Sequence, residues 1–346
     1  MRGLPTGLSI VAVAMAFVIP AVSKASVAGK LEKSGAQLAV GNPGCERLTA
    51  KECVEQAFDA IGGRERLETI RTIRLDAIGH TALTEQSYRQ APFYTAYERD
   101  QIVVDYAGQR YWEKQHTVWP EADLQGADSE GMLIVTPAGG VNRFGKQETP
   151  CGGGDLDATR QEYALGATRV LLTAASAPDL HYAPAEVVRA TPHAALAFTW
   201  NGIPVRVLLN GYNHLPDAVE TTQQFRDFWY YWGDVSQRVY FDNWRWVHGV
   251  EYPSSQIIER NGVEWSSMQA LNVEFNVALD EKEFVIDAKA AAASVASKGW
   301  NGSFNGSKSK ELAAGVDLFL GSWKSDGSLQ MEQNCIHGIG IDGMAF

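Results

Sequence analysis

Short runs of alternating apolar and polar residues, separated by turn residues, dominate the chain from about residue 185 to 277. The clearest pairs of runs flank Asn201-Gly202 and Asn261-Gly262. Asn-Gly between two such runs favours a tight β-hairpin, because this turn needs a positive φ at both central residues. The pattern therefore predicts a ladder of antiparallel strands over this stretch.

The first half of the chain combines helix signals with further hairpins. Thr49-x-x-Glu52 is a capping-box pattern that opens an amphipathic helix, and Gly62-Gly63 ends it. The elements predicted after it are a short helix at 64–70, a strand at 72–79, hairpins over 94–118 and 132–144, and one long internal helix over 156–175. The predicted fold class is therefore mainly β, with a few helices lying against the sheet.

The N-terminus has the layout of a secretory signal peptide. Arg2 is followed by an apolar run from Leu8 to Val22 and by the small-x-small sequence Ser23-Lys24-Ala25. Pro20 breaks the run, which is shorter than the roughly 20 apolar residues that a spanning helix needs. We therefore expect residues 1–25 to be a signal peptide and the mature protein to be periplasmic or secreted, without a stable membrane anchor.

Composition divides the remaining chain into four segments. Ala-, Gly- and Lys-rich sequence predicts a flexible leader, and Ala/Ser- and Gly/Asn-rich sequence after the last strong strand pattern predicts a linker. The predicted boundaries are a leader at 26–48, a β domain at 49–287, a linker at 288–311 and a short C-terminal β segment at 312–346. The last segment either packs on the β domain or begins a second domain.

Charge and cysteine content restrict the classes of partner and of site. The net charge is −11, without a cluster of Lys and Arg, which argues against nucleic acid or an anionic membrane surface as the partner. Four cysteines in an exported chain favour disulfides. Cys45 and Cys53 are close enough in sequence to close a small loop onto the first helix, so we predict that they are bridged. The absence of Cys-x-x-Cys argues against a redox or zinc-ribbon site.

Aromatic side chains are concentrated between residues 225 and 246. They are explained either by a core with a loop folded over its mouth, or by an apolar lip over a ligand cavity, where aromatic faces bury large areas at a small entropic cost. If it is exposed, the 225–232 loop is instead a surface for a protein partner. The candidate ligand-binding residues are Phe228, Trp229, Tyr231, Trp232, Tyr240, Trp244, Arg245 and Trp246.

The order of the early helix, the Gly-Gly pair, the first strand and a late strand resembles a known arrangement. It is similar to the LolA/LolB-like, periplasmic lipoprotein-carrier type of half β-barrel domain, as found before metallo-β-lactamase-fold hydrolases. The resemblance covers about residues 50–287 and implies a strongly twisted antiparallel sheet, curled into a half-barrel around helical plug elements. It rests on Gly62, Gly63, Thr72, Arg74, Leu75, Gly249, Val250, Tyr252 and Pro253.

The resemblance also implies a function. It implies a concave apolar face that holds a lipid-like or other hydrophobic group, with no catalytic residue and no cofactor in this domain. We therefore expect an exported binding or accessory module. The alternatives are a metallo-β-lactamase-fold hydrolase relative with a truncated or degenerate catalytic domain, and a structural assembly partner that uses the aromatic loop.

Catalytic and metal-binding patterns are incomplete in the sequence. Residues 315–323 resemble the opening strands of the metallo-β-lactamase fold, but its His-x-His-x-Asp-His motif is absent, and His337 and Asp342 have the wrong spacing for it. Three other histidines lie on or beside the predicted strands without a carboxylate at a fixed spacing, namely His181, His193 and His214. We therefore predict neither a metal site nor a catalytic residue, and enzyme activity is the less favoured interpretation.

Overall fold

The computed structural model describes residues 41–84, 87, 91–120, 128–226 and 234–296, together with the backbone of five short strands between residues 307 and 345. The helices are α1 (Ala50–Ile61), α2 (Arg64–Thr69), α3 (Gly153–Leu165), α4 (Val170–Ser176) and α5 (Ala288–Ala296), with a 3-10 helix at Glu281–Phe284. The main-sheet strands are β1 (Thr72–Ala82), β2 (Thr95–Asp105), β3 (Arg110–Val118), β4 (Asp128–Thr136), β5 (Gly139–Phe144), β6 (Gln147–Pro150), β7 (His181–Val188), β8 (Thr191–Trp200), β9 (Ile203–Asn210), β10 (Pro216–Gln224), β11 (Asp234–Val247), β12 (Val250–Arg260) and β13 (Val263–Phe275).

One antiparallel sheet of 13 strands forms the body of the structure. Its order is β6-β5-β4-β3-β2-β1-β13-β12-β11-β10-β9-β8-β7, so two meanders are joined where β1 pairs with β13. The path is open, with β6 and β7 as its two edges. The predicted mainly β, antiparallel fold class is confirmed.

The two Asn-Gly turns have the geometry that the sequence predicts. Asn201 and Gly202 have φ values of 49° and 81°, and Asn261 and Gly262 have φ values of 51° and 77°. Both central residues of each turn are thus left-handed, as a two-residue hairpin between twisted strands requires. The turns join β8 to β9 and β12 to β13, and they set the register of these pairs.

Helix α1 packs on one face of the sheet, called the inner face below. At its N-terminus the Thr49 backbone N–H donates to Glu52 Oε2 at 2.7 Å, and the Glu52 N–H donates to Thr49 Oγ1 at 3.3 Å, which is the predicted capping box. Val54, Phe58 and Ile61 are buried in the main core, with α4 and strands from both meanders. The predicted bridge between Cys45 and Cys53 is confirmed and ties the preceding segment to this helix.

The chain that follows β13 covers the outer face of β2 to β5. Phe284 joins a second hydrophobic cluster with Val103, Trp112, Ile134 and Val141. The Trp112 indole N–H donates to Glu283 at 3.1 Å, and Arg110 forms an ion pair with Glu281 at 2.5 Å. The outer face of this part of the sheet is therefore covered by the chain that follows β13.

The predicted linker at 288–311 is wrong over its first nine residues, which form α5. Ala291 is buried against β5, and Ser294 Oγ accepts a hydrogen bond from the Gly140 N–H at 2.9 Å. Alanine-rich sequence is typical of linkers by composition, but alanine is also the best helix former. Here the packing of this segment against the outer face of β5 stabilises the helix.

The single long helix predicted over 156–175 is also wrong, because α3 and α4 are separated at residues 166–169. Gly166 has an extended conformation, with φ −60° and ψ 161°. The Arg169 guanidinium lies 3.8 Å from the centre of the Tyr106 ring and donates to the carbonyl of Ile70. These contacts, with the residue that follows β2 and with the residue that ends α2, interrupt a pattern that is helical by local sequence.

Five strands are described in and just before the β segment predicted at 312–346, and the first of them begins within the predicted linker at 288–311. They are β14 (Ser307–Ala313), β15 (Val316–Trp323), β16 (Leu329–Gln330), β17 (Ile339–Ile341) and β18 (Met344–Ala345), and they form a separate sheet. Three of them are too short to show a two-residue alternation. In the part of the chain that is described, no helix has the length and apolar character needed to cross a membrane.

We predict that Gly139→Ala destabilises the protein more than Gly145→Ala. Both glycines have a positive φ, of 133° and 60°, so each substitution carries a backbone cost of about 1 kcal/mol. A methyl group at Gly139 would also collide with the carbonyl of Ala291, whereas none of the described atoms lies within 4 Å of one at Gly145. Overpacking adds about 1–3 kcal/mol. Urea unfolding of both variants measures the difference, and equal losses would contradict the packing of α5 on β5.

Candidate functional site

A cavity of about 320 Å³ lies between the inner face of the sheet and helix α3. Strands β1 to β4, β12 and β13 provide most of its wall, and α3 provides the rest. Unlike the core around α1 and α4, this region is not filled by the side chains of the described residues. Its apolar lining consists of Leu75, Ile102, Val104, Leu133, Ala158, Ile258 and Met268, with the rings of Tyr111 and Tyr252.

The polar lining of the cavity is strongly acidic. Five carboxyl side chains contribute to it, and none of the described lining residues is Lys, Arg or His. Hydroxyl and amide groups complete the polar lining, at Thr81, Thr159, Gln256, Ser266 and Ser267. The five carboxyl residues are Glu98, Asp100, Glu113, Asp155 and Glu162.

Strand alternation directs these carboxyl groups inward. Successive side chains of a strand point to opposite faces, so Glu98 and Asp100 share the inner face with Ile102 and Val104 of the same strand. On the neighbouring strand, Glu113 lies directly opposite Ile102 in the register. The three carboxyl groups are therefore neighbours on one surface.

Burial and mutual repulsion shift the protonation of this group. Burial raises the pKa of Asp100 to about 7, and the charge of Glu98 adds to the rise. Burial likewise raises the pKa of Glu98 to about 7, against a hydrogen bond from Thr81 that lowers it. The pKa of Glu113 also rises to about 7, through burial first and then the charge of Asp100. Near neutral pH the three carboxyl groups are therefore only partly ionised.

Helix α3 adds a fourth perturbed carboxyl group. Burial raises the pKa of Glu162 to about 7, while a hydrogen bond from Tyr106 and the charge of Arg169 act in the opposite direction. The Tyr106 hydroxyl donates to Glu162 Oε1 at 3.3 Å. On the sheet side, the Tyr111 hydroxyl donates to Glu113 Oε2 at 2.8 Å. Two of the acids thus accept hydrogen bonds from tyrosine hydroxyl groups, which stabilise a carboxylate less than a cation would.

Of the three strand carboxyl residues that line the cavity, Asp100 is the least exposed to solvent. It is 5% exposed, and its Oδ1 atom has no hydrogen-bond partner among the described residues. An unsatisfied acceptor at this depth costs free energy, because it has lost its hydration without a replacement. Asp100 therefore presents an open acceptor atom among the residues that line the cavity.

The aromatic residues predicted from the sequence are not brought together at this cavity. Phe228, Trp229, Tyr231 and Trp232 lie outside the described residues. Tyr240 packs in a cluster on the outer face, with the Arg189 guanidinium 3.9 Å from the centre of its ring. Trp244 packs against the main core, Arg245 donates to the Ala270 carbonyl at 3.1 Å, and Trp246 is 61% exposed.

The three candidate histidines have separate partners. His193 is buried and lies 3.0 Å from Asp217, and His214 lies 3.0 Å from Gln56. His181 is exposed and contacts the carbonyl of Asp179. Among the described residues, no group of three or more His, Cys, Asp or Glu side chains is arranged to hold a metal ion.

Solved structures similar to this chain include a LolA superfamily protein and a lipoprotein-sorting protein domain. A LolA superfamily protein from Nitrosomonas europaea is 13% identical, with a TM-score of 0.40, and the match covers 69% of this chain and 98% of that one. A putative outer membrane lipoprotein-sorting protein domain from Vibrio parahaemolyticus is 10% identical, with a TM-score of 0.37, covering 68% and 97%. A DUF1329 family protein from Desulfovibrio piger is 11% identical, with a TM-score of 0.36, covering 70% and 98%.

These neighbours agree with the predicted resemblance to LolA-type proteins, and they do not bear on the predicted metallo-β-lactamase context. No model of a known protein family matches the chain, and no curated protein matches its sequence. At these identities and TM-scores the likeness carries no functional argument. The function has to be argued from the side chains of this chain.

The acidic lining is the functional feature that the sequence analysis missed. A signal for it exists in β2, where Glu98 and Asp100 fall in phase with Ile102 and Val104. This alternation is ambiguous, because Arg99 and Gln101 on the other face of the strand are polar too. In the sequence, this part of β2 therefore has no apolar side that would identify the inner face. Only the position of α3 and the pairing of β2 with β1 and β3 identify the inner face.

We predict that the protein is less stable at about pH 8 than at about pH 5, and that Asp100→Asn reduces this difference. An acid whose pKa is raised in the folded state costs no stability below its unfolded pKa, near 4, and destabilises increasingly up to its folded pKa, here about 7. Removing the buried charge should recover on the order of 1–3 kcal/mol at about pH 8 and little at about pH 5. Urea unfolding at the two pH values measures this.

Asp76→Asn is the matched control, because Asp76 lies on the outer face of the adjacent strand and accepts a hydrogen bond from Gln101 at 3.1 Å. It should leave the difference between the two pH values close to that of the parent protein. Equal pH dependence in the parent and in Asp100→Asn would contradict the assignment of a buried charge at this position.

Proposed function

We propose that the chain is an exported binding module that holds a hydrophobic, lipid-like ligand in the inner-face cavity. The observation that carries the proposal is an unfilled cavity with apolar walls, next to a core that is otherwise packed. Small-molecule sites are usually preformed concave cavities with apolar walls and a few polar groups. This partly open cavity has that form and is therefore the candidate ligand site.

The size and lining of the cavity suit a small amphiphile or one end of a larger one. Its volume of about 320 Å³ falls at the lower end of the range of about 300–1,000 Å³ that is usual for small-molecule sites. Leu75, Ile102, Val104 and Leu133 provide a surface for an alkyl chain. Burying such a chain contributes about 0.8 kcal/mol for each methylene group.

The walls of the cavity are preorganised. Strands β2 and β3 are paired along nine consecutive residues, and β1 and β2 along eleven. Side chains held on such a ladder keep their positions without a ligand, so little free energy is spent on ordering the site when the ligand binds. This supports a role in binding and release of a ligand.

Export of the module is proposed from the predicted signal peptide at 1–25, which lies outside the described residues. A periplasmic or secreted location is consistent with the bridge between Cys45 and Cys53, because disulfides persist in oxidising compartments. No catalytic residue or cofactor forms part of this proposal. A location of the module before a metallo-β-lactamase-type domain remains a prediction from the sequence.

We predict that Ile258→Trp abolishes or strongly reduces co-purification of the ligand, because Ile258 lines the cavity and a larger side chain would fill it. Native mass spectrometry of protein purified from the exported fraction, compared with the mass after denaturation, measures ligand occupancy. Fluorescence of a solvent-sensitive apolar dye, and its displacement by extracted ligand, gives a second readout.

Ile257→Trp is the matched control. Ile257 is the preceding residue of β12, points to the outer face and packs beside Tyr240. Both substitutions overpack a partly buried site, at a cost of about 1–3 kcal/mol, and only one of them changes the cavity. Equal loss of ligand in both variants, or parental occupancy in Ile258→Trp, would refute the location of the site.

A further inference from the structure

We infer, on the basis of the function proposed above, that the ligand carries a protonated amine: the cavity binds a cationic amphiphile and rejects an anionic one. The inference concerns the chemical class of the head group, which an apolar cavity by itself does not define. It starts from the charge of the lining, the open acceptor atom on Asp100 and the arrangement of polar and apolar side chains along β2.

The described lining of the cavity contains five acids and no cation, whereas partly buried acids on the outer face lie beside arginines. On the outer face, Glu186 lies 2.9 Å from Arg238 and 3.2 Å from Arg206. At the cavity, none of the described lining residues is Lys, Arg or His. Buried carboxylates without a cation are costly, and a cationic head group would supply the missing partner.

Asp100 supplies the second observation. It is 5% exposed, and its Oδ1 atom has no partner among the described residues, although Gln115 donates a hydrogen bond to the carboxyl group. Glu98 and Glu113 accept hydrogen bonds from Thr81 and Tyr111. An ammonium group has three donors and no acceptor, so it can serve Asp100 and a neighbouring carboxylate together. An anionic head group would face repulsion from all of them.

The inner face of β2 has the polarity of an amphiphile. Glu98 and Asp100 occupy one half of the strand, and Ile102 and Val104 occupy the other. At a rise of about 3.4 Å per residue, the span from Glu98 to Val104 is about 20 Å. The neighbouring strand β1 follows the same order, with Thr81 near the acidic half and Leu75 opposite Ile102. A head group at the boundary between the halves thus meets Asp100 and Glu113, which lies opposite Ile102, while its alkyl chain extends along Ile102 and Val104.

A metal ion is a less suitable occupant, because the described residues include no group of three His, Cys, Asp or Glu side chains arranged to hold one. Among the described lining residues, the titratable groups are acids and phenols from β2, β3, β12 and α3. Two cations outside the lining act on them: Arg169 on Glu162, and Arg245 on Tyr252. The lining residues are Glu98, Asp100, Tyr111, Glu113, Asp155, Glu162 and Tyr252.

The proposal predicts a pH dependence of definite sign. The raised pKa values of the acids, about 7, mean that they are largely protonated at about pH 5.5 and ionised at about pH 8. An alkylamine, whose pKa is comparable to that of lysine at about 10.4, stays charged at both values. Amine binding should therefore strengthen as the pH rises, with release of protons from the cluster.

The test uses three probes with the same alkyl chain, each below its micelle concentration: decylamine, decanol and decanoate. Isothermal titration calorimetry of the ligand-stripped full chain at about pH 8 should show decylamine binding about tenfold or more tightly than decanol, and decanoate most weakly. Decyltrimethylammonium, whose charge does not depend on pH, should lose affinity between about pH 8 and about pH 5.5. Decanol should change little.

Two variants locate the effect. Asp100→Asn and Glu113→Gln should weaken decylamine binding by about tenfold and leave decanol binding near the parental value. Glu130→Gln is the matched control, because Glu130 is exposed and forms an ion pair with Lys114 at 2.5 Å. Circular dichroism before titration confirms that each variant is folded.

The outcomes separate this inference from the proposed function. If decanol and decylamine bind equally well, or decanoate binds most tightly, the cavity is an apolar site without a preference for amines and the inference is wrong. If none of the probes binds the stripped protein, the proposed function fails as well. If the amine preference survives in both Asp100→Asn and Glu113→Gln, the cationic head group lies elsewhere.

Discussion

The pairing of β1 with β13 is the constraint on which the structure depends. It joins a meander that begins the domain to one that ends it, and places Leu75 opposite Val273 in a single register. The register shifts once, between Asp76 and Ala77, and inward-facing residues of both strands then line the cavity. Without this pairing, the two halves of the sheet would not share an inner face, and α3 would have no wall to oppose.

The inner face combines two environments that obey different rules. Around α1 and α4 it is a packed core, where burial of Phe58, Ile61 and Leu171 stabilises the fold. Beside α3 it retains empty volume and acids with raised pKa values, both of which oppose stability. Cavities and buried charges without a cation destabilise a fold. Natural proteins usually retain such features at functional sites. The cavity fits that expectation on both counts.

Much of the fold could be predicted because its signals are local. The Thr49 capping box, the Asn201-Gly202 turn and the short spacing from Cys45 to Cys53 each act within a few residues. The errors arose where distant parts of the chain decide the outcome. Contacts of Arg169 with Tyr106 divide the internal helix, and packing against β5 turns an alanine-rich stretch into α5.

The candidate site was less accessible to sequence reasoning, for the same physical reason. The aromatic residues are conspicuous by composition, but Tyr240 and Trp246 have positions that depend on which face of β11 is turned inward. The acids are inconspicuous because Glu98 and Asp100 alternate with other polar residues. Their significance depends on strand pairing and on a helix from a different part of the chain.

The open ends of the sheet have a consequence for association between molecules. An edge strand with free N–H and C=O groups is a template for another chain. Here β6 has only four residues and ends at Pro150, and β7 carries Pro184 beside an irregularity in its pairing with β8. Proline removes a donor from each edge. The sheet can therefore stay open around its cavity without extending into a polymer through its edges.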